Sequence, residues 1–176
     1  ASRYVGEVGL DFGLKHVATR GAQVAAFDRI AAACAAEGGK VLSIHAVRSA
    51  GTVLDVLERY GVLVGSACIL HWFSGTSDEL QRAAKLGCFF SVGPHMLASK
   101  RGRAYAQAIP RDRLLLETDA PYMAPVPCRG KRCDSGMIVH TAARIAEIRG
   151  ISTDELLEQT RQNACRLFSL GSAPND

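Results

Sequence analysis

Five short, predominantly apolar runs, each followed by a stretch of helical periodicity, constrain this chain more than any other feature. The runs are Tyr4–Leu10, Val41–His45, Ala67–Trp72, Cys88–Val92 and Leu114–Thr118. Apolar runs of this length read as strands buried on both faces. Between the first two, Thr19–Glu37 carries Val24, Phe27, Ile30 and Ala31 at spacings of three and four, a helical stripe closed by Gly38-Gly39. Ser49–Tyr60 repeats the pattern with Val53, Leu54, Val56 and Leu57 inward, closed by Gly61. Ser74-Gly75-Thr76-Ser77 caps a third helix through Leu86, and Ala98–Ala108 forms a fourth. Beyond the fifth run, Pro121–Gly136 reads as a long loop, and helices follow over Met137–Arg149 and Thr153–Phe168. Ser152 with Asp154 and Glu155 caps the last of these.

Strand and helix in alternation are the signature of βα units on a parallel sheet. A (β/α)₈ barrel and a doubly wound sheet both satisfy it. Five units in 176 residues match the repeat length of a barrel. A closed barrel needs about 250 residues, so on that reading about three βα units are missing. The chain opens on Ala1 and reaches its first strand by Tyr4, which predicts a start in mid-domain. Residues 1–170 are expected to form the C-terminal portion of one domain, and 171–176 a flexible tail. The net charge of +4 permits an anionic substrate but falls short of a dedicated nucleic-acid-binding domain. No apolar run approaches the roughly 20 residues of a membrane span. Four of the six cysteines, Cys34, Cys68, Cys88 and Cys165, lie in apolar helix or strand patterns, which predicts free thiols and a cytoplasmic location.

Polar residues collect at the strand ends. Glu7 sits within the first run between Gly6 and Gly9, where a carboxylate among Val5, Val8 and Leu10 needs a partner. His45 closes the second run and His71 lies near the end of the third. Three leucines, Leu114–Leu116, lead into Glu117, Thr118 and Asp119 before Pro121 ends the strand. Taken alone, those two acids could equally cap the next helix. In a parallel βα architecture, however, the strand ends share one rim, and two imidazoles with two or three carboxylates there form a metal-ligand set. His95, after Gly93-Pro94, is the other histidine near that rim, suited to support the site or to touch substrate. His16 and His140 read as structural. Cys128 and Cys133 form a spacing that is a poor zinc signal.

Val5-Gly6-Glu7-Val8-Gly9-Leu10-Asp11 resembles the GE(I/V)GLD motif of TatD-type metal-dependent deoxyribonucleases. Ser43-Ile44-His45 is similar to their second motif, His71-Trp72-Phe73-Ser74-Gly75 to HxFSG, and Leu115–Tyr122 to LLETDAPY. Arg129-Gly130-Lys131-Arg132 resembles the RGKxN that follows, and Asn163 with Leu167-Phe168 the terminal pattern. The resemblance implies a TIM (β/α)₈ barrel of the metal-dependent hydrolase type. It implies two divalent metal ions in the complete protein, magnesium or manganese ahead of zinc. Glu7 would bridge them, His45 and His71 would complete the second, and Asp119 would bind the first and take a proton from the attacking water. Glu117 would orient that set.

The family's first strand carries an HxH pair, and this chain has none. Trp72 replaces the commoner Cys, and Cys133 stands where Asn is usual. With Ser91–Met96, Trp72 resembles a branch found in anti-phage Qat systems, which implies defence-system partner proteins. Arg129, Lys131 and Arg132 are natural phosphate contacts, and Trp72 or Tyr122 offers a stacking face. Lys100, Arg101 and Arg103 form a second basic cluster. The leading expectation is a metal-dependent deoxyribonuclease acting on single-stranded DNA or DNA ends. The rivals are a related hydrolase of an amide or ester bond, and a non-catalytic binding subunit.

Overall fold

The computed structural model describes residues 2–118, 120 and 134–170. The chain forms two compact units, Ala1–Phe90 and Ser91–Asp176, each with its own interior. In the first, the strands are β1 (Tyr4–Asp11), β2 (Val41–Val47), β3 (Ala67–His71) and the opening of β4 (Phe89–Val92). They lie in chain order, and β1, β2 and β3 pair in parallel. The helices are α1 (Arg20–Glu37), α2 (Ala50–Arg59), the single turn α3 (Val62–Gly65) and α4 (Ser77–Lys85). The second unit holds the close of β4, then α5 (Pro94–Leu97), α6 (Lys100–Ala108), β5 (Leu114–Leu116), α7 (Ile138–Arg149) and α8 (Thr153–Phe168). The Glu117 amide donates to the Val92 carbonyl at 3.2 Å, which sets the end of β5 beside β4.

This is the α/β alternation that the sequence predicts. Burial follows the periodicity closely in α2, where Val53, Leu54, Val56 and Leu57 are all fully buried. In α1 the buried stripe is Phe27, Ala31 and Cys34, with Val24 and Ile30 only half-buried. The predicted fourth helix, Ala98–Ala108, forms as α6, and a single turn, α5, precedes it. Ser99 accepts from the Gly102 amide at 2.8 Å to cap α6, while α5 forms a separate turn after Pro94. Arg103 then donates to the carbonyls of Leu97 and Ala98, closing α5. One nitrogen of the Arg103 guanidinium, Nη1, makes both of these bonds.

The third strand ends at His71 rather than Trp72, whose φ of 41° turns the chain out of the sheet. Asn163, 3% exposed, donates to the carbonyls of Arg111 and Leu114 at 2.9 and 2.8 Å, tying α8 to the start of β5. Cys34, Cys68 and Cys88 are free and buried, and Cys165 is free and half-buried. Among the described residues no helix is long and apolar enough to cross a membrane.

Candidate metal centre

Three neighbouring strands deliver three side chains to one point. Parallel pairing places Gly9 opposite His45 and His45 opposite His71, so the two histidines stand side by side on one face. Their ring centroids are 6.1 Å apart. Glu7 joins them through an irregularity in β1. Between Val5 and Val8 that strand spends three steps where β2 spends two, from Leu42 to Ile44. A bulge of this kind re-aims a side chain. From there Glu7 Oε1 lies 2.8 Å from His45 Nδ1 and 3.9 Å from His71 Nε2.

The flanking glycines make this approach sterically accessible. A Cβ on Gly6 would sit 2.9 Å from the Ser43 Cβ, and one on Gly9 would sit 2.0 Å from the His45 carbonyl oxygen. Gly9 also has a φ of 139°, a conformation that side chains disfavour. The acid–glycine spacing is therefore a packing requirement of the β1–β2 contact. Glu7 has the partner that its apolar neighbours called for, in His45. The Glu7 side chain is 50% exposed, on a strand where only Leu10 is buried, while His45 and His71 are 29% and 14% exposed.

One oxygen and two imidazole nitrogens, all within 4.8 Å of one another, are a fitting cradle for a divalent ion. Ligand bonds of roughly 2.0–2.6 Å demand donors no farther apart than that. The exposure of Glu7 leaves one side open to water and substrate. No other such group occurs among the described residues.

Asp11 is a neighbour that sequence reasoning missed. Its Oδ2 lies 3.8 Å from His45 Nε2 and 3.7 Å from His16 Nε2. The carboxylate is fixed by the Gly13 amide at 2.7 Å, and Gln23 brackets the Asp11 backbone with bonds of 2.7 and 3.0 Å. His45 thus meets Glu7 at hydrogen-bond distance through Nδ1, with the Asp11 carboxylate in ion-pair range of Nε2. The signal was present in the chain: Asp11 follows Glu7 and Gly9 at the strand period of two. His16, read as structural, shares Asp11 with His45 but is half exposed.

Trp72 stands edge-on to His71 at 6.4 Å. A non-glycine residue at positive φ is uncommon, and such strain collects at functional sites. In the second unit, Ser91 Oγ donates to Glu117 Oε2, and Gly93 leaves room for the Glu117 side chain, where a Cβ would lie 2.9 Å from its Cγ. His95 is exposed on α5. Asp119, Tyr122, Cys128, Arg129, Lys131, Arg132 and Cys133 lie outside the described residues.

A family model described as "TatD related DNase" matches residues 2–169. The uncharacterized metal-dependent hydrolase YabD of Bacillus subtilis is 31% identical over 169 residues, covering 94% of this chain and 65% of its own length. The 3'-5' ssDNA/RNA exonuclease TatD of Edwardsiella piscicida is 35% identical over 173 residues, with the same coverages. The chain thus spans about 65% of the length of these curated relatives. Among solved structures, YJJV, a TatD homologue from Escherichia coli K12, superposes with a TM-score of 0.72 at 24% identity, covering 94% of this chain and 63% of that one. An uncharacterized amidohydrolase from Saccharomyces cerevisiae gives 0.80 at 19% identity, covering 94% and 65%. Both likenesses are of fold.

Proposed function

The chain belongs to the TatD-related DNase family, and from that premise we propose that it serves as a metal-dependent hydrolase of nucleic-acid phosphodiesters. The observation that carries the reading is the convergence of Glu7, His45 and His71. These three would hold a divalent ion, with magnesium or manganese favoured by the carboxylate and zinc accommodated by the imidazoles. A bound divalent cation supplies Lewis acidity, acidifying water and neutralising charge on a phosphodiester.

The protein's own groups supply the rest. Glu7 holds the His45 ring through Nδ1, and Asp11 adds negative charge beside Nε2. Asp119, by its place in the LLETDAPY motif, is proposed as ligand and proton acceptor for the attacking water. Glu117, fixed by Ser91, is proposed to orient it. Arg129, Lys131 and Arg132 are proposed to bind phosphate, Trp72 to stack on a base, and His95 to assist. The fold this implies is a (β/α)₈ barrel of the metal-dependent hydrolase type. The substrate is proposed to be single-stranded DNA or DNA ends, in keeping with the names of several relatives. Buried free thiols suit a cytoplasmic location.

The test pairs metal binding with cleavage. Titration with manganese should show saturable binding that Glu7→Gln weakens at least about tenfold. A 3'-labelled single-stranded oligonucleotide should be cut only with metal present, and an activated amide or carboxylic ester should not. Metal binding unaltered in Glu7→Gln would overturn the ligand assignment. Amide or ester turnover exceeding that of the oligonucleotide would favour the other hydrolase reading.

A further inference from the structure

Asp11 closes β1 with a carboxylate whose two oxygens are placed differently. Oδ1 accepts the Gly13 amide at 2.7 Å, and a Cβ added at Gly13 would sit 2.8 Å from it. The Asp11 backbone is clamped as well. Gln23 accepts its N–H at 2.7 Å and donates to its carbonyl at 3.0 Å. Gln23 also donates to the Thr19 hydroxyl at 2.9 Å. Oδ2 faces two imidazoles, His45 Nε2 at 3.8 Å and His16 Nε2 at 3.7 Å.

The group whose ligand atoms lie within 4.8 Å of one another comprises Glu7, His45 and His71, and Asp11 stands outside it. Glu7 Oε1 meets His45 at Nδ1 and His71 at Nε2. The His45 ring therefore turns Nδ1 toward the cluster and Nε2 toward Asp11. A neutral imidazole that lends one nitrogen's lone pair to a cation carries its hydrogen on the other. The group that accepts this hydrogen holds the ring in place. Asp11 Oδ2 is placed to be that acceptor, on a carboxylate already anchored through Oδ1. The separation is about 1 Å beyond a hydrogen bond. Positive charge on the far side of the ring makes Nε2–H the stronger, charge-assisted donor that closes such a gap.

We propose that Asp11 is a positioning residue for the metal centre: its Oδ2 accepts the Nε2–H of His45, so that the ring offers Nδ1 to a divalent ion. The inference rests on the reading of Glu7, His45 and His71 as that centre. It separates Asp11→Asn from Asp11→Ala. In Asp11→Asn the amide oxygen keeps the Gly13 bond and the NH₂ group turns to His45. Two donors then oppose each other unless the ring moves its hydrogen to Nδ1, which withdraws the lone pair meant for the ion. Asp11→Ala removes the acceptor without opposing the ring. A role through charge alone predicts equal losses from the two variants. A role confined to supporting the β1 turn predicts the larger loss from Asp11→Ala, which forfeits the Gly13 bond.

The experiment is calorimetric titration of the full chain with zinc at neutral pH. Asp11→Asn should weaken zinc binding about a hundredfold and Asp11→Ala about tenfold. The unfolding midpoint of Asp11→Asn before zinc is added should match the wild type. His16→Ala, which removes the other imidazole at Oδ2, should stay within about twofold of the wild type. Nitrogen-15 NMR of the zinc-loaded wild type should place hydrogen on His45 Nε2 and zinc on Nδ1; this measurement decides if Asp11→Ala fails to fold. Equal losses in the two Asp11 variants, a larger loss in Asp11→Ala, a loss in His16→Ala matching that in Asp11→Asn, or zinc on Nε2 overturns the role of Asp11 and leaves the metal centre standing. No saturable zinc binding by the wild type overturns both.

Discussion

Gly9 shows how much of the candidate metal centre depends on a residue that offers no ligand atom. Its φ of 139° and the 2.0 Å approach of the His45 carbonyl to its missing Cβ leave no room for alanine. Gly9→Ala should destabilise the protein by roughly 3 kcal/mol, combining backbone strain with displacement of β2. Gly39→Ala is the control, because φ is 63° there but nothing lies within 4 Å of the added Cβ, and about 1 kcal/mol is expected. Urea denaturation of both variants distinguishes a crowded glycine from a merely left-handed one. If the two variants lose the same stability, the β1–β2 contact is not the constraint described above. At this scale the sequence was most legible at His45 and His71, where residue type and strand end coincided, and at Glu7, which its flanking glycines marked. It was least legible at Asp11, whose role rests on an ion-pair contact and on the Gln23 bracket from α1, a residue twelve positions away. The exposure of Glu7 was also hidden, because alternation gives a face and not how deeply that face is covered.

Among the elements, α8 carries two features that can be separated by experiment. On its buried side Asn163 bonds the carbonyls of Arg111 and Leu114. Asn163→Ala leaves both without that donor and should cost about 2–3 kcal/mol of unfolding free energy in urea. On its exposed side, Arg161 and then Gln162 hydrogen-bond Glu158 and hold its carboxyl down to about 2. A carboxylate whose folded value lies below its unfolded value of about 4.3 contributes stability that is present above that value. The contribution fades as pH falls toward about 2. Both side chains are half exposed, so salt should weaken the effect. A carboxyl-resolved NMR titration should place the Glu158 midpoint near 2 at low ionic strength, rising with added salt. A midpoint in the ordinary carboxylate range would remove the pair as a contributor. Element boundaries were legible where capping and periodicity agreed, as in α2 and α8. The single turn α5 went unread, because Pro94–Leu97 is too short to show a helical period before Ser99 caps α6.

At the scale of the whole molecule, the order of strands followed from simple alternation, but the division into two units did not. The boundary falls inside β4, between Phe90 and Ser91, in a run whose four residues are all buried. Linkers usually announce themselves by exposure, and the burial of this run gives no such signal, although Gly93-Pro94 follow shortly after it. The cysteines offer a way to examine the first unit alone. Cys34, Cys68 and Cys88 all lie within it, at 5%, 0% and 0% exposure, and burial pushes the Cys34 and Cys68 thiols up from their usual range. A thiol reagent therefore reaches Cys68 only when that unit opens. Glu7, His45 and His71 lie in the same unit, so a metal held there must stabilise it. At a free concentration a hundred times the dissociation constant, the gain is about 2.7 kcal/mol, which slows Cys68 labelling roughly a hundredfold. Mass spectrometry of the labelled peptide with and without manganese measures this, independently of any catalytic assay. His71→Ala should lose the metal dependence while Cys68 stays protected in the metal-free state, because His71, a proposed ligand, is half-buried at the end of its strand and not part of the fully buried core. If manganese slows labelling equally in the wild type and in His71→Ala, the ion binds elsewhere and the three-strand site is not the metal centre. If it slows labelling only in the wild type, the site formed by β1, β2 and β3 binds metal in solution, whatever substrate it serves.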